Sequence, residues 1–186
     1  DWLKGKLFGG KSKDNATIIN GQKMGAISPT GGGKAIMSSP WPTRADPKFK
    51  PQGHPGIDLY GALGSPVYAA QDGDVKSSAA GNDKAISTIQ INDLKYQHVK
   101  PSKDLTIGKP IKAGDQIGTL DDSGKGCDPP LWTGPHLHFQ VGNGETNPIE
   151  FLQNLQPNLI WGFTDKANKD AIKTRFPILY NKMKQE

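Results

Sequence analysis

Between residues 65 and 142 the chain is a succession of short apolar runs separated by turn-forming residues, and several of these runs alternate with polar positions. Ile89 and Ile91 alternate with Gln90 and Asn92; Leu137, Phe139 and Val141 alternate with His136, His138 and Gln140. A period of two sends successive side chains to opposite faces of a strand, so one face packs and the other stays polar. The pattern predicts strands over 65–71, 74–78, 87–92, 95–99, 116–120 and 135–142. Gly61-Ala62-Leu63-Gly64, Asp72-Gly73, Gly81-Asn82-Asp83 and Ala113-Gly114-Asp115 supply the turns. Strands at this density, with no helix between them, predict a mostly β fold built on an open antiparallel sheet. On the strand over 95–99, Tyr96 and His98 are two apart and are expected to share a face.

The flanks read differently. Residues 1–34 hold a short amphipathic piece (Trp2-Leu3, Leu7-Phe8), then Gly9-Gly10-Lys11-Ser12-Lys13 and Pro29-Thr30-Gly31-Gly32-Gly33, the composition of a basic linker. Gly33-Lys34 makes no phosphate loop, because Ser28 stands where that motif needs Gly and Ala35 where it needs Ser or Thr. A short helix is predicted after Asn147, which can cap it, with Pro148 in its first turn and Leu152 and Leu155 toward the sheet. Past Pro157, Thr164-Asp165-Lys166 can cap a second helix with Ala167, Ala171, Ile172 and Phe176 on one face, ending before Pro177. The expected division is a linker over 1–34, a β domain over 35–157 and a helical tail over 158–186.

Composition agrees with a turn-rich β chain: of 186 residues, 34% are hydrophobic, 23 are Gly and 15 are Pro. No run approaches the roughly 18 apolar residues of a membrane span, so no span is expected. The chain starts at Asp1 and shows no apolar signal-peptide core, which leads us to expect a mature form or a domain of a larger protein. One cysteine, Cys127, excludes an internal disulfide. The net charge of +5 is uneven: residues 1–53 hold 9 basic and 3 acidic side chains, residues 54–159 hold 8 and 12, and residues 160–186 hold 6 and 3. The basic character therefore lies in the ends. With no aromatic-interleaved basic stripe and no nucleic-acid motif, nucleic acid is not an expected partner.

The chemistry gathers around four histidines. In Gly134-Pro135-His136-Leu137-His138-Phe139, His136 and His138 share one strand face, placed to bind one metal ion together, or to bind it and work beside it. Gln52-Gly53-His54-Pro55-Gly56-Ile57-Asp58 adds a histidine and a carboxylate on a path that Pro55-Gly56 keeps from being helical. A catalytic zinc takes three protein ligands and keeps one position open. His54, Asp58 and His138 can supply two nitrogens and one oxygen, which would leave His136, and His98 from its own strand, for proton transfer.

These segments resemble a known family. His54-Pro55-Gly56-Ile57-Asp58, Tyr96-Gln97-His98, Gly114-Asp115-Gln116-Ile117-Gly118 and Thr133-Gly134-Pro135-His136-Leu137-His138-Phe139 are similar, in order, to the lysostaphin/LytM-type (M23) zinc metallopeptidases of peptidoglycan. Ser39-Pro40-Trp41 with Arg44 upstream and Asn147-Pro148-Ile149 downstream resemble that family's edges, so the likeness covers about residues 36–156. It implies an open, mostly antiparallel β groove of the duplicated-hybrid-motif kind. It also implies one Zn2+ on His54, Asp58 and His138, with His98 and His136 flanking the attacked carbonyl. The loop over 121–132 is longer than the family pattern. Trp132 in it is a candidate substrate wall, and Tyr96 is either a core aromatic or a substrate contact through its hydroxyl.

The implied activity is endopeptidase cleavage of stem or cross-bridge peptides of bacterial peptidoglycan; the alternative is a non-catalytic wall-binding or regulatory module of the same type. No His-Glu-x-x-His glutamate is present, so a histidine must act as base. A peptidoglycan substrate implies an extracellular or cell-wall location (secreted, surface-attached, or part of a phage or conjugation machine), and the basic ends suit anionic wall polymers. Asp83-Lys84-Ala85 has the look of a lipoyl-carrier lysine, a reading that leaves the histidines unexplained.

Overall fold

The alternating runs form strands, and most of them join one broad sheet. The computed structural model describes residues 17–19, 22–24, 29–31, 33–42, 53–128 and 134–185. The strands are β1 (Thr17–Ile19), β2 (Gln22–Met24), β3 (Lys34–Ser39), β4 (Ile57–Tyr60), β5 (Pro66–Tyr68), β6 (Gly73–Ala79), β7 (Thr88–Ile91), β8 (Leu94–Gln97), β9 (Val99–Pro101), β10 (Pro110–Ile111), β11 (Gln116–Leu120) and β12 (His136–Val141), followed by β13 (Ile160–Phe163) and β14 (Lys184–Gln185). Three helices, α1 (Pro148–Leu155), α2 (Lys166–Arg175) and α3 (Pro177–Lys182), come late in the chain. Nine strands form one sheet in the order β10-β6-β7-β8-β12-β4-β3-β13-β14, and β5-β11-β9 form a second. The fold is mostly β with open sheets. Among the described residues all pairings within the sheets are antiparallel except those of β13, which runs parallel to β3 and to β14.

β12 lies at the centre of the large sheet and is buried along its whole length. Its Leu137 and Phe139 pack with Ile57 and Leu59 of β4, Tyr96 of β8, and Ile89 and Ile91 of β7, all fully buried. α1 covers this face through Ile149 and Leu152, and Asn147 caps it by accepting from the Ile149 N–H at 3.0 Å. The other face of β12 carries His136, His138 and Gln140 in a period of two. One face thus closes the core and the other is polar.

Three expectations need correction. The first concerns the strand over 95–99, which is not continuous. β8 ends at Gln97, His98 takes a left-handed backbone (φ 60°), and the chain leaves the nine-stranded sheet to enter the three-stranded one as β9. Tyr96 and His98 therefore part company: Tyr96 packs in the core, and the His98 ring meets the His136 ring on the polar face of β12. The second is the stretch read as linker, where β1 and β2 pair as a hairpin, Thr17 opposite Met24. Asn20-Gly21 between them is the dipeptide that hairpins favour. The third is the tail, which is not wholly helical. Ile160–Phe163 adds a strand beside β3, with Trp161 fully buried and its indole N–H donating to Gln153 Oε1 at 2.8 Å. Four residues interrupted by Gly162 are too short to show a period. α2 starts as expected from the Asp165 cap, yet Ala167 is exposed, and Asn168 turns inward to donate to the Ser38 carbonyl at 2.9 Å.

Candidate metal centre

The register of two strands builds the site. β12 and β4 pair with His138 opposite Asp58, and cross-strand partners project to the same face. His54 reaches that point from the segment before β4. Its backbone N–H donates to the Pro42 carbonyl at 2.7 Å and its Nδ1–H to the Pro40 carbonyl at 2.8 Å. The three side chains are buried and their atoms nearly equidistant: His54 Nε2 to Asp58 Oδ1 is 3.1 Å, His138 Nδ1 to Asp58 Oδ1 is 3.0 Å, and His54 Nε2 to His138 Nδ1 is 3.2 Å. Ligands at about 2.0–2.1 Å around a tetrahedral ion sit roughly 3.3 Å apart. The triangle has that size.

Protonation points the same way. A carbonyl only accepts, so His54 carries its proton on Nδ1 and presents a lone pair at Nε2. That lone pair faces the Asp58 carboxylate. Burial alone would raise the Asp58 carboxyl, and the facing imidazoles lower it only as cations, with a proton on the nitrogen where a metal would sit. Hydrogen bonds from His138 and His54 in that form, with the charges of His54 and His136, hold it well below the usual carboxylate range, and a metal ion takes over the same cationic role. Burial lowers His138 against the pull of Asp58, which favours the neutral imidazole a metal requires. His138 Nε2 is buried with no hydrogen-bond partner, and Gly56 lies against it so closely that a Cβ there would come within 2.7 Å. The other ring nitrogen, Nδ1, is the one turned to the triangle. Three acceptor atoms held this close, away from water, need a cation among them. Among the described residues this is the one such group of histidine, cysteine and carboxylate side chains.

The other two histidines stand beside the triangle. His136 Nδ1 donates to the Gly134 carbonyl at 2.7 Å, and its Nε2 lies 3.8 Å from Asp58 Oδ1. His98 Nδ1 donates to the Ser123 carbonyl at 3.0 Å. Both rings therefore turn an Nε2 away from their anchors, with centroids 4.6 Å apart and planes inclined at 60°. Burial, with the neighbouring His136, lowers His98 to about 4, so it is neutral at pH 7.

All five residues singled out for metal or proton chemistry thus converge. Tyr96 is corrected: its hydroxyl accepts from the Ala70 N–H at 2.9 Å, its ring packs edge-on against Phe139, and no part of it reaches solvent. Trp132 lies outside the described residues. Two residues in register with the histidines of β12 escaped the sequence reading. Tyr60 is opposite His136 in the β4–β12 register and is 49% exposed, and Gln97 is opposite His138 in the β8–β12 register. The signal for Tyr60 was its spacing of two from Asp58, on the same strand face.

The model of peptidase family M23 matches residues 52–150. An uncharacterized protein of Mycobacterium tuberculosis is 33% identical over 107 residues, which is 55% of this chain and 25% of that one. Peptidoglycan DD-endopeptidase ShyC of Vibrio cholerae is 34% identical over 91 residues, 47% of this chain and 19% of that one. The chain spans about a quarter or less of the length of these curated relatives. The antimicrobial peptidase lysostaphin from Staphylococcus simulans aligns in structure with a TM-score of 0.48 at 22% identity, over 66% of this chain and 50% of that one. The matched span runs from before His54 to beyond His138 and takes in more than half of the molecule, so the chain belongs to peptidase family M23.

Proposed function

We propose that the chain is a zinc endopeptidase that cuts peptide bonds in the stem or cross-bridge peptides of bacterial peptidoglycan. The observation that carries the reading is the buried triangle of His54 Nε2, Asp58 Oδ1 and His138 Nδ1, with two further histidines beside it whose Nδ1 protons are held by carbonyls. The donor set of two imidazoles and one carboxylate fits zinc and leaves net positive charge at the ion. Bound there, zinc would acidify water and polarise a peptide carbonyl. His98, neutral and with its Nε2 lone pair free of the Ser123 anchor, accepts a proton at that atom and returns it to the leaving amine. His136 holds the opposite side and gives a hydrogen bond to the developing oxyanion when its Nε2 is protonated. The polar floor beside them, with Tyr60 and Gln97, takes an extended peptide.

A family relative named as a peptidoglycan endopeptidase supports the substrate class. That substrate would place the site of action outside the cytoplasm, where the basic N-terminal residues meet anionic wall polymers. No helix of the described residues is long and apolar enough to cross a membrane. We assign the catalytic unit to residues 35–157 together with the tail strand β13. The test is digestion of purified peptidoglycan and defined muropeptides, read by mass spectrometry for new amino termini. Cleavage should disappear with chelator, return with zinc, and be absent in His138→Ala. A protein that holds one zinc per chain and cleaves no wall type would instead be a binding or regulatory module.

A further inference from the structure

His98 holds a left-handed backbone (φ 60°) at the point where the chain changes sheets. Side chains bearing a Cβ rarely adopt this conformation, so something must fix it. Three hydrogen bonds do so, and they come from two segments. The His98 N–H donates to the Ser87 carbonyl at 2.9 Å, the Asp121 N–H donates to the His98 carbonyl at 2.9 Å, and the His98 Nδ1–H donates to the Ser123 carbonyl at 3.0 Å.

Those two segments are bound to each other by side chains. The Asp121 carboxylate accepts the Ser87 hydroxyl at 2.5 Å on Oδ2. On Oδ1 it accepts the Ser123 hydroxyl at 2.6 Å and the Ser123 N–H at 3.1 Å. The Ser123 hydroxyl in turn accepts the Ser87 N–H at 2.8 Å, and the Ser87 hydroxyl accepts the Gly81 N–H at 2.7 Å. Ser87 and Ser123 are buried. Each of these three hydrogen bonds is thus made by Asp121 or by a residue that it ties down.

We propose that Asp121, acting through Ser87 and Ser123, is the positioning residue of His98. It aims the Ser123 carbonyl at Nδ1, which fixes the Nδ1–H tautomer and leaves Nε2 as the proton-accepting atom toward the metal triangle. Neither serine touches the reacting atoms and neither is a nucleophile. Their hydroxyls are spent on each other, on backbone N–H groups and on the carboxylate. The inference rests on the proposed peptidase reading for its catalytic consequence but not for its structural one.

The experiment uses the zinc-loaded full chain, four single variants (Asp121→Ala, Asp121→Asn, Ser123→Ala and Ser87→Ala) and the double variant Asp121→Ala with Ser123→Ala. Long-range proton–nitrogen NMR reads the tautomer of His98 directly, and muropeptide cleavage reads kcat and KM. In the parent, His98 should give one proton-bearing Nδ1 and an unprotonated Nε2. In Asp121→Ala both nitrogens should show averaged signals, with kcat down about 10- to 100-fold and KM within about twofold. Asp121→Asn, which keeps one acceptor oxygen, should fall between. Ser123→Ala added to Asp121→Ala should cost little more, since both act on one network. Should Asp121→Ala lose its melting transition, Ser123→Ala, which removes one hydroxyl and no charge, carries the same two readouts. A His98 that keeps a single Nδ1–H tautomer in these variants overturns the proposal, as does an unchanged kcat. If the parent cleaves nothing, the peptidase reading falls, while the NMR result still decides the positioning role.

Discussion

Gly56 offers the most direct test of how the metal triangle is held. An added Cβ would lie 2.4 Å from the Phe139 carbonyl oxygen, 2.7 Å from His138 Nε2 and 2.9 Å from His138 Cε1, where ordinary contacts begin at 3.4 Å. The shortfall of about 1 Å cannot be absorbed by a flexible side chain, because one atom is backbone and the others belong to a buried ring on the central strand. Gly56→Ala must therefore push β12 away from β4 or tilt the His138 ring. The cost to stability is about 1–3 kcal/mol, a melting point lower by about 3–10 °C. The larger effect is on metal. His138 Nδ1 and Asp58 Oδ1 are 3.0 Å apart across the same two strands, and metal–ligand distances tolerate about 0.2 Å. Zinc affinity should fall about 100-fold, measured by competition with a chromophoric chelator. Gly64→Ala is the control: its Cβ would meet nothing within 4 Å while its φ of +79° still strains the backbone, so it should lose some stability and keep zinc. If Gly56→Ala takes up one zinc per chain within about threefold of the parent affinity, the packing argument for the site is wrong.

Other expectations follow from the same geometry. His138→Ala should lose zinc by metal analysis, whereas His136→Ala should keep it and lose turnover by about 10²–10⁴-fold; equal loss of metal in both would refute the division of roles. In the metal-free protein His98 sits near 4 against 6.5 in an unfolded chain, so the unfolded state binds more protons between those values. Its contribution is fully present above pH 6.5 and is lost as pH falls toward 4, by up to about 3 kcal/mol, and His98→Asn, which tolerates the left-handed backbone, should flatten that part of a urea-melt pH profile. Trp161→Ala empties a fully buried site and breaks its bond to Gln153, so it should cost about 3–5 kcal/mol in denaturant unfolding even though it lies beyond the family match. Tyr60→Ala should raise KM for muropeptides more than it lowers kcat, since it flanks His136 on the open floor without touching the triangle.

What the sequence disclosed depended on range. A period of two says which face a residue takes, and that was enough to put His136 and His138 on one side of β12 and Leu137 and Phe139 on the other. The histidines are so few that bringing four of them together followed once a family pattern ordered them. The pattern does not say where a strand breaks. His98 would share a face with Tyr96 on any regular strand, and only a φ of 60°, held by residues 11 positions before and 23 and 25 positions after it, separates them. The anchors Ser87, Asp121 and Ser123 are ordinary polar residues in sequence; Asp121-x-Ser123 reads as an Asx turn at most. The strand at Ile160–Phe163 failed to register because its parallel partner, Lys34–Ser39, lies more than a hundred residues away.

The tail has a consequence for handling the protein. Both margins of the nine-stranded sheet are two-residue strands, Pro110–Ile111 at one side and Lys184–Gln185 at the other. Proline offers no N–H, and a short margin carrying lysine gives little to pair with, so neither side is a template for another chain. A chain ended at residue 157 would lose β13 and bare the outer side of Lys34–Ser39, six residues with every second one buried. That strand would be partly apolar and open along one side, and such a fragment should aggregate at concentrations where the full chain stays dispersed. Ile160–Phe163, which hold no part of the metal triangle, are thus what cover the outer side of Lys34–Ser39.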